Sequence, residues 1–150
     1  MVEKLINTLE NIDTDLSDLL VAAKMKQVSL VSNVNKKIEE AILLEEKLLL
    51  KIKNGEHNRL TIIKNFYSEN GEALETTKIS DLIQKFSKQI SEEDKDKLNA
   101  FEASIKEKIT EIKRHNEQNQ FLIVHSKNFI NETINTLAEN SKKSILDKKI

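Results

Sequence analysis

Residues 5–23 read LINTLENIDTDLSDLLVAA, and the spacing of the apolar side chains in this stretch decides the fold class. Apolar residues recur there at alternating intervals of four and three, at Leu5, Leu9, Ile12, Leu16, Leu19 and Ala23. This heptad spacing places the side chains along one stripe of an α-helix, the seam of a coiled coil. Ile6 and Leu20 widen the stripe, as expected for a helix with two neighbours. The stretch predicts a long helix over about residues 2–30.

The composition of the whole chain agrees with a bundle of long helices. The 150 residues include no proline and only two glycines, so few residues break a helix. Charged residues make up 33%, but the apolar residues, at 38%, are too regularly spaced for a disordered chain. Aromatic residues make up 4%, which favours thin seams between helices over a thick core. We therefore expect residues 1–150 to form one helical domain.

Charge and hydropathy exclude several classes of protein. The net charge of −1 gives no broad attraction to nucleic acid or to anionic lipid. The absence of cysteine excludes disulfides and thiolate metal sites. No apolar run reaches the ~20 residues of a membrane span, and the N-terminus lacks the apolar segment of a signal peptide. The expected location is the cytoplasm, with no membrane insertion.

The remaining elements follow from the apolar spacing and from turn signals. The stretch VSNVNKK, residues 31–37, is rich in capping residues and predicts a turn near 31–35, with one continuous helix as the alternative. Asn70-Gly71 marks a loop, and Gly55 suggests a kink. The predicted fold is an all-α, elongated, antiparallel three-helix bundle or coiled coil with a short extra helix before the last long one. The further helices are predicted at about 35–66, 79–90 and 92–142, with a short tail at 143–150.

The seam of the last helix turns polar within RHNEQNQFLIVHS, residues 114–126. Asn116, Asn119 and Ser126 occupy positions where the register of Ile105 and Ile112 calls for apolar residues. A buried asparagine in a seam fixes the register of the helices at a cost in stability. The alternative is that this part of the seam is uncovered and offers its amides and neighbouring apolar residues to an amphipathic partner helix.

Candidates for chemistry are few. Glu111 and His115 are four residues apart, as two metal ligands on a helix would be, but no third ligand stands out. His115 or His125 could serve in phosphotransfer on a helical bundle, which keeps a signalling role open. No nucleotide-binding or hydrolase motif occurs. We therefore expect no enzyme activity, no cofactor and no metal.

Three features together resemble the FlgN family of flagellar chaperones. EEKLL at residues 45–49 is similar to the acid–Lys–Leu-Leu core of the family, and Arg59 follows it at a similar distance. Asn116-x-x-Asn119 followed by FLI at 121–123 resembles the family's N-x-x-N-x-x-L-L signature. SILDKKI at 144–150 resembles the tail of some members, although the only tyrosine of this chain, Tyr67, lies far from the tail.

The resemblance implies a cytoplasmic, non-enzymatic chaperone that binds the helical terminal segments of hook-associated proteins of the FlgK and FlgL type and escorts them to the export gate. It leaves docking to the gate through a tyrosine-bearing tail in doubt. Whether the chaperone is a homodimer stays open, and a constitutively oligomeric coiled-coil scaffold is the alternative function. The residues expected to contact a partner are Asn116, Asn119, Phe121, Leu122, Ser126, Phe129, Ile130, Thr133 and Leu137.

Overall fold

The chain folds into four helices. The computed structural model describes the backbone of residues 1–149 and the side chains of residues 1–125, 128, 131–132 and 134–139. The helices are α1 (Val2–Ser32), α2 (Asn35–Glu69), α3 (Ile79–Lys85) and α4 (Glu92–Lys149). The predicted all-α bundle, with three long helices and a short one before the last, is confirmed. Within the described residues, no helix has the length and apolarity that a membrane span requires.

Asn33 and Val34 form the turn between α1 and α2. Asn33 has φ 55° and ψ 42°, a left-handed conformation that asparagine tolerates better than most residues. The Val34 N–H donates to the carbonyl of Ser29 at 3.1 Å and so satisfies one of the carbonyls left free at the end of α1. α1 and α2 are therefore separate helices, and their turn lies within the predicted 31–35.

Two boundaries differ from the sequence prediction. α3 ends at Lys85 rather than near residue 90, because the backbone turns at Phe86 and carries both Phe86 and Ile90 into the core. α4 continues to Lys149, through most of the segment predicted as a tail at 143–150. That segment contains no glycine or proline that would stop a helix.

α1 packs along both α2 and α4. It runs antiparallel to α2: an ion pair joins Lys26 Nζ and Glu45 Oε2 at 3.2 Å close to the Asn33 turn, and Ile12 lies beside Gly55 farther from it. We call the part of the bundle next to this turn the turn end and the part next to α3 the α3 end.

α1 runs parallel to α4, and α4 is much the longer helix. Ser104 Oγ donates to Asp13 Oδ1 at 2.7 Å, and Gln27 Nε2 donates to Gln118 Oε1 at 3.0 Å. At ~1.5 Å per residue, this register places the last turn of α1 level with about residue 125. About 25 residues of α4, a length of about 37 Å, therefore extend past the turn end. We call this part the α4 projection.

The core is thickest at the α3 end. Phe86 meets the rings of Phe66 and Tyr67 edge-to-face, with centroids 4.7 and 5.1 Å apart. Such pairs add about 0.5–1.5 kcal/mol each to the free energy gained by burial. The buried residues of this cluster are Leu5, Leu9, Ile63, Phe66, Tyr67, Ile79, Leu82, Phe86, Ile90 and Leu98.

The core of the turn end is thinner and contains no aromatic residue among its buried members. A single layer of aliphatic side chains joins the helices there. These residues are Ile12, Leu16, Leu19, Ala22, Leu48 and Ile112. The turn end is therefore held by less buried apolar surface than the α3 end.

Gly55 marks a close approach of α2 to α1. α2 continues through it without a break, and a Cβ atom on Gly55 would lie only 2.8 Å from Ile12 Cγ1. Ile12 is buried and β-branched, so its side chain has little freedom to move aside. The glycine predicted as a kink instead allows two helices to approach closely.

We expect Gly55→Ala to lower the free energy of unfolding by about 1 kcal/mol, measured by urea denaturation. The overpacking cost, about 1–3 kcal/mol, exceeds the gain of about 1 kcal/mol in helix propensity. In an Ile12→Ala background the same change should raise the free energy of unfolding by about 1 kcal/mol, because only the propensity gain remains. Equal stabilisation in both backgrounds would show that the close contact does not limit this position.

Candidate functional site

One line of side chains on α4 changes from buried to exposed along the helix. We call this line, which includes Ile112, Asn119, Ile123, Ile134 and Leu137, the α4 seam. Ile112 is 7% exposed and Asn119 2%, but Ile123 is 38% exposed, Ile134 57% and Leu137 62%. The change occurs where α1 ends. The α4 seam therefore loses its cover at the start of the α4 projection.

A polar layer joins α4 to α1 just before the point where α1 ends; it consists of Asn119, His115 and Gln118 of α4 and Gln27 of α1. Asn119 Nδ2 donates to the carbonyl of Ala23 at 3.0 Å, and His115 Nδ1 lies 2.8 Å from Gln27 Oε1. Gln27 also donates to Gln118. The Asn119 side chain is thus covered by the chain's own first helix, an arrangement that fits the register-fixing interpretation of this asparagine.

The polar layer is not fully satisfied. Among the described residues, neither His115 Nε2 nor Asn119 Oδ1 has a hydrogen-bond partner, although both atoms are buried. An unpaired buried polar group costs about 1–3 kcal/mol. The layer therefore adds specificity to the α1–α4 register at the expense of stability. His115, which the sequence offered as a metal ligand with Glu111, makes a contact between helices here.

Lys26 and Glu45 interrupt the apolar patterns of α1 and α2, and the structure explains both interruptions together. Their ion pair of 3.2 Å crosses the α1–α2 contact, and both side chains are more than four-fifths buried. Each helix on its own showed a charged residue within an apolar pattern. Recognising the pair required the antiparallel register of the two helices.

The exposed predicted residues begin within the stretch of α4 that carries the polar layer. Asn116 is exposed on the surface of α4. Phe121 is 61% exposed and its ring contacts that of His125 at a tilt of 50°, with centroids 4.0 Å apart. Leu122 is half-buried. Asn116, Phe121 and Leu122 therefore lie within reach of a partner, whereas Asn119 does not while α1 stays in place.

Phe121 and Leu122 line an open groove of about 550 Å³ between α4 and the last turns of α1. Val31, 71% exposed, contributes an apolar wall that the sequence analysis did not assign to the site. The other lining residues are Gln27, Arg114, Glu117 and Gln118. The groove joins the turn end of the bundle to the exposed part of the α4 seam.

The rest of the predicted site lies on the α4 projection. Leu137 is exposed, as is Ile134 one turn before it. The side chains of Ser126, Phe129, Ile130 and Thr133 lie outside the described residues, although the helix runs through all four positions. The predicted residues therefore share one helix, and only Asn119 among the described ones is buried.

Exposed apolar side chains also concentrate on the other helices of the turn end. Isolated exposed apolar residues are ordinary on a protein surface, but a concentration of them indicates an interaction surface. They are Val21, Met25, Val28, Val31 and Val34 on α1 and its turn, and Ile42, Leu43, Leu44, Leu49 and Leu50 on α2. The α3 end contains the thicker hydrophobic core, and the turn end carries most of the exposed apolar side chains.

Comparison with known proteins identifies the family. The model of the family described as FlgN protein matches residues 1–146, which include α1, α2, α3 and nearly all of α4. No curated protein and no solved structure matches the chain. FlgN proteins are flagellar export chaperones and not enzymes. Because the match spans almost the whole chain, the protein belongs to the FlgN family.

Proposed function

We propose that this chain is a cytoplasmic chaperone that binds the terminal helical segments of hook-associated proteins, of the FlgK and FlgL type, and delivers them to the flagellar export apparatus. The observation that supports this function is the loss of cover along the α4 seam, from 2% exposure at Asn119 to 62% at Leu137. A helix with an uncovered apolar stripe is completed by an amphipathic helix that packs on it.

The client segment lies along the α4 projection and against the groove beside α1. Client segments that form coiled coils would otherwise pair with one another before export, and the chaperone supplies a temporary partner helix. The contact surface in this proposal consists of Asn116, Phe121, Leu122, Ile123, Ser126, Phe129, Ile130, Thr133, Ile134 and Leu137. Asn119 supports this surface from below by fixing α4 on α1.

Polar positions within the surface keep the complex selective and reversible. Asn116 is exposed in the free chain, so its amide must find a partner in the complex or lose its hydrogen bonds to water. An amide left unpaired costs about 1–3 kcal/mol, which is enough to disfavour clients in the wrong register. An uninterrupted leucine seam would bind more tightly and with less discrimination.

Hydrogen exchange tests the location of the site. We expect a synthetic terminal helix of a hook-associated protein, added to the full-length chain, to slow amide exchange over residues 121–139. Packing on the projection suppresses the fraying of an otherwise unsupported helix. Residues of α2 near Phe66 and Tyr67 serve as the internal control and should be unaffected. Binding with protection confined to another helix, or no binding, would contradict the proposal.

A further inference from the structure

The outward face of α1 changes character halfway along the helix. Near the α3 end it carries polar residues such as Glu10 and Thr14, both exposed. Toward the turn end it carries Val21, Met25 and Val28, which are 55%, 53% and 66% exposed. These three side chains, spaced by four and three residues, form one line that faces away from the core; we call it the α1 stripe. No described part of the chain covers it.

The α1 stripe borders a groove on its α2 side. The groove has a volume of about 420 Å³, and Lys37 and Glu40 of α2 form its far wall. Leu44 follows them at helical spacing and is 39% exposed. By the register of the Lys26–Glu45 pair, Leu44 lies level with Met25. The stripe and the groove thus form one apolar surface centred near Met25.

Opposite charges flank this surface at equal distances from its centre. Asp18 lies on α1 two turns before Met25, about 10 Å along the helix axis. Lys37, by the α1–α2 register, lies level with the last turn of α1, about 10 Å from Met25 in the other direction. Both side chains are exposed, and neither forms an ion pair with another described residue. Each charge is available to a partner.

We propose that the α1 stripe binds a second copy of this chain, with the two α1 helices antiparallel and a two-fold axis passing beside Met25. With the axis in the groove between α1 and α2, the α1 stripe packs on α2 of the second copy, so that Met25 meets Leu44 of the second copy and Asp18 lies opposite Lys37 of the second copy. The symmetry repeats the charge pair at both ends of the interface. A parallel arrangement would place Asp18 opposite Asp18, which like-charge repulsion disfavours.

The charge pattern favours a second copy over another kind of helix. An apolar stripe alone accepts any amphipathic helix, but complementary charges at equal distances from one centre match a two-fold partner. The surface is small, and exposed ion pairs contribute about 0–1 kcal/mol each. The association is therefore weak, dependent on concentration, and weakened by salt. In the antiparallel pair the two α4 projections point in opposite directions, so each copy keeps its α4 seam open.

Sedimentation equilibrium of the full-length chain tests the proposal. We expect a reversible monomer–dimer equilibrium at low salt, with a dissociation constant of about 10–100 μM, a range ordinary for small interfaces. Met25→Lys should abolish the dimer at the same concentrations. Asp18→Lys and Lys37→Asp should each weaken it at least about tenfold, and the double variant should recover it, because both pairs are then restored with reversed sign. Glu10→Lys, an equal charge change on the polar half of α1, is the matched control.

Three outcomes would overturn the proposal: a monomer at every concentration and salt, a double charge variant no better than the single ones, or a dimer that survives Met25→Lys. Loss of client-helix binding in Met25→Lys would assign the stripe to the client instead. Client binding on the α4 seam is measured separately, so either proposal can fail while the other stands.

Discussion

Replacing both Ile134 and Leu137 with serine should weaken binding of a hook-associated terminal helix about 100-fold while the bundle stays folded. The two side chains are 57% and 62% exposed in the free chain, so their removal costs the bundle little. In the complex each one would become buried, and a buried aliphatic side chain contributes about 1.5–3 kcal/mol. The combined loss of about 3 kcal/mol corresponds to about two decades in the dissociation constant. Isothermal titration measures the affinity, and thermal unfolding checks the fold.

The matched control lies on the same projecting helix. Asn131 and Ala138 are both exposed and, by helical spacing, lie away from both the α4 seam and Phe121. Asn131→Ser with Ala138→Ser should leave client affinity within about twofold, because neither side chain lies on the proposed contact surface. If both pairs of substitutions weakened binding equally, the α4 projection would act through its general helicity rather than through its seam. Unchanged affinity in the Ile134→Ser, Leu137→Ser variant would show that the client does not bind on the α4 seam.

Asn119→Asp should lower the free energy of unfolding by about 3 kcal/mol at neutral pH, as measured by urea denaturation. The side chain is 2% exposed and its amide nitrogen donates to the Ala23 carbonyl. A carboxylate there would face that carbonyl oxygen without a donor of its own, and an unpaired buried charge is costly. Burial raises the pKa of such a carboxyl in the folded state, so the loss should grow as pH rises and shrink as pH falls.

Two further substitutions separate the cost of burying a charge at residue 119 from the cost of changing an amide to a carboxylate. Asn116→Asp makes the same chemical change three residues earlier on an exposed surface and should cost less than about 0.5 kcal/mol. Asn119→Leu removes the unpaired buried oxygen and should raise the free energy of unfolding by about 1 kcal/mol, with a less specific α1–α4 register. An Asn119→Asp protein as stable as Asn116→Asp would mean that α1 does not cover Asn119 in solution.

Local periodicity predicted the helices and the buried face of α1 well. All of the residues read as the α1 seam, from Leu5 to Ala23, are buried. The start of α4 is also set locally, since the Asp94 N–H donates to Ser91 Oγ at 3.1 Å. These features depend on residues a few positions apart, which is the range over which helical spacing and capping act.

Features that depend on the alignment of one helix with another could not be predicted from the sequence. The direction of α4 relative to α1 decides whether Asn119 faces Ala23 or a partner, and no single helix encodes it. The role of Gly55 depends in the same way on Ile12, forty-three positions earlier in the chain. The aromatic cluster at the α3 end was also missed, because Phe86, just past α3, reaches Phe66 and Tyr67 of α2 only after the chain has turned back through the loop and α3.

The candidate site was predicted in part for the same reason. The sequence located the polar interruption at Asn116 and Asn119 and the apolar residues that follow it. It gave no measure of where cover by α1 ends, since that point depends on the length of α1 and on its register with α4. The apolar wall at Val31 was likewise hidden, because a helix pattern does not reveal which neighbour's side chain lies across a groove.

The placement of the aromatic cluster at the opposite end from the α4 projection has a consequence for how this protein can change. Substitutions on the projection leave Phe66, Tyr67 and Phe86 untouched, so in the proposed complex they would alter recognition without unfolding the bundle. Most enzymes and binding proteins build their sites on residues that also hold the scaffold, and they trade one property against the other. If the client binds the α4 projection as proposed, recognition and stability depend on different stretches of this chain, and the projection can change without loss of the fold.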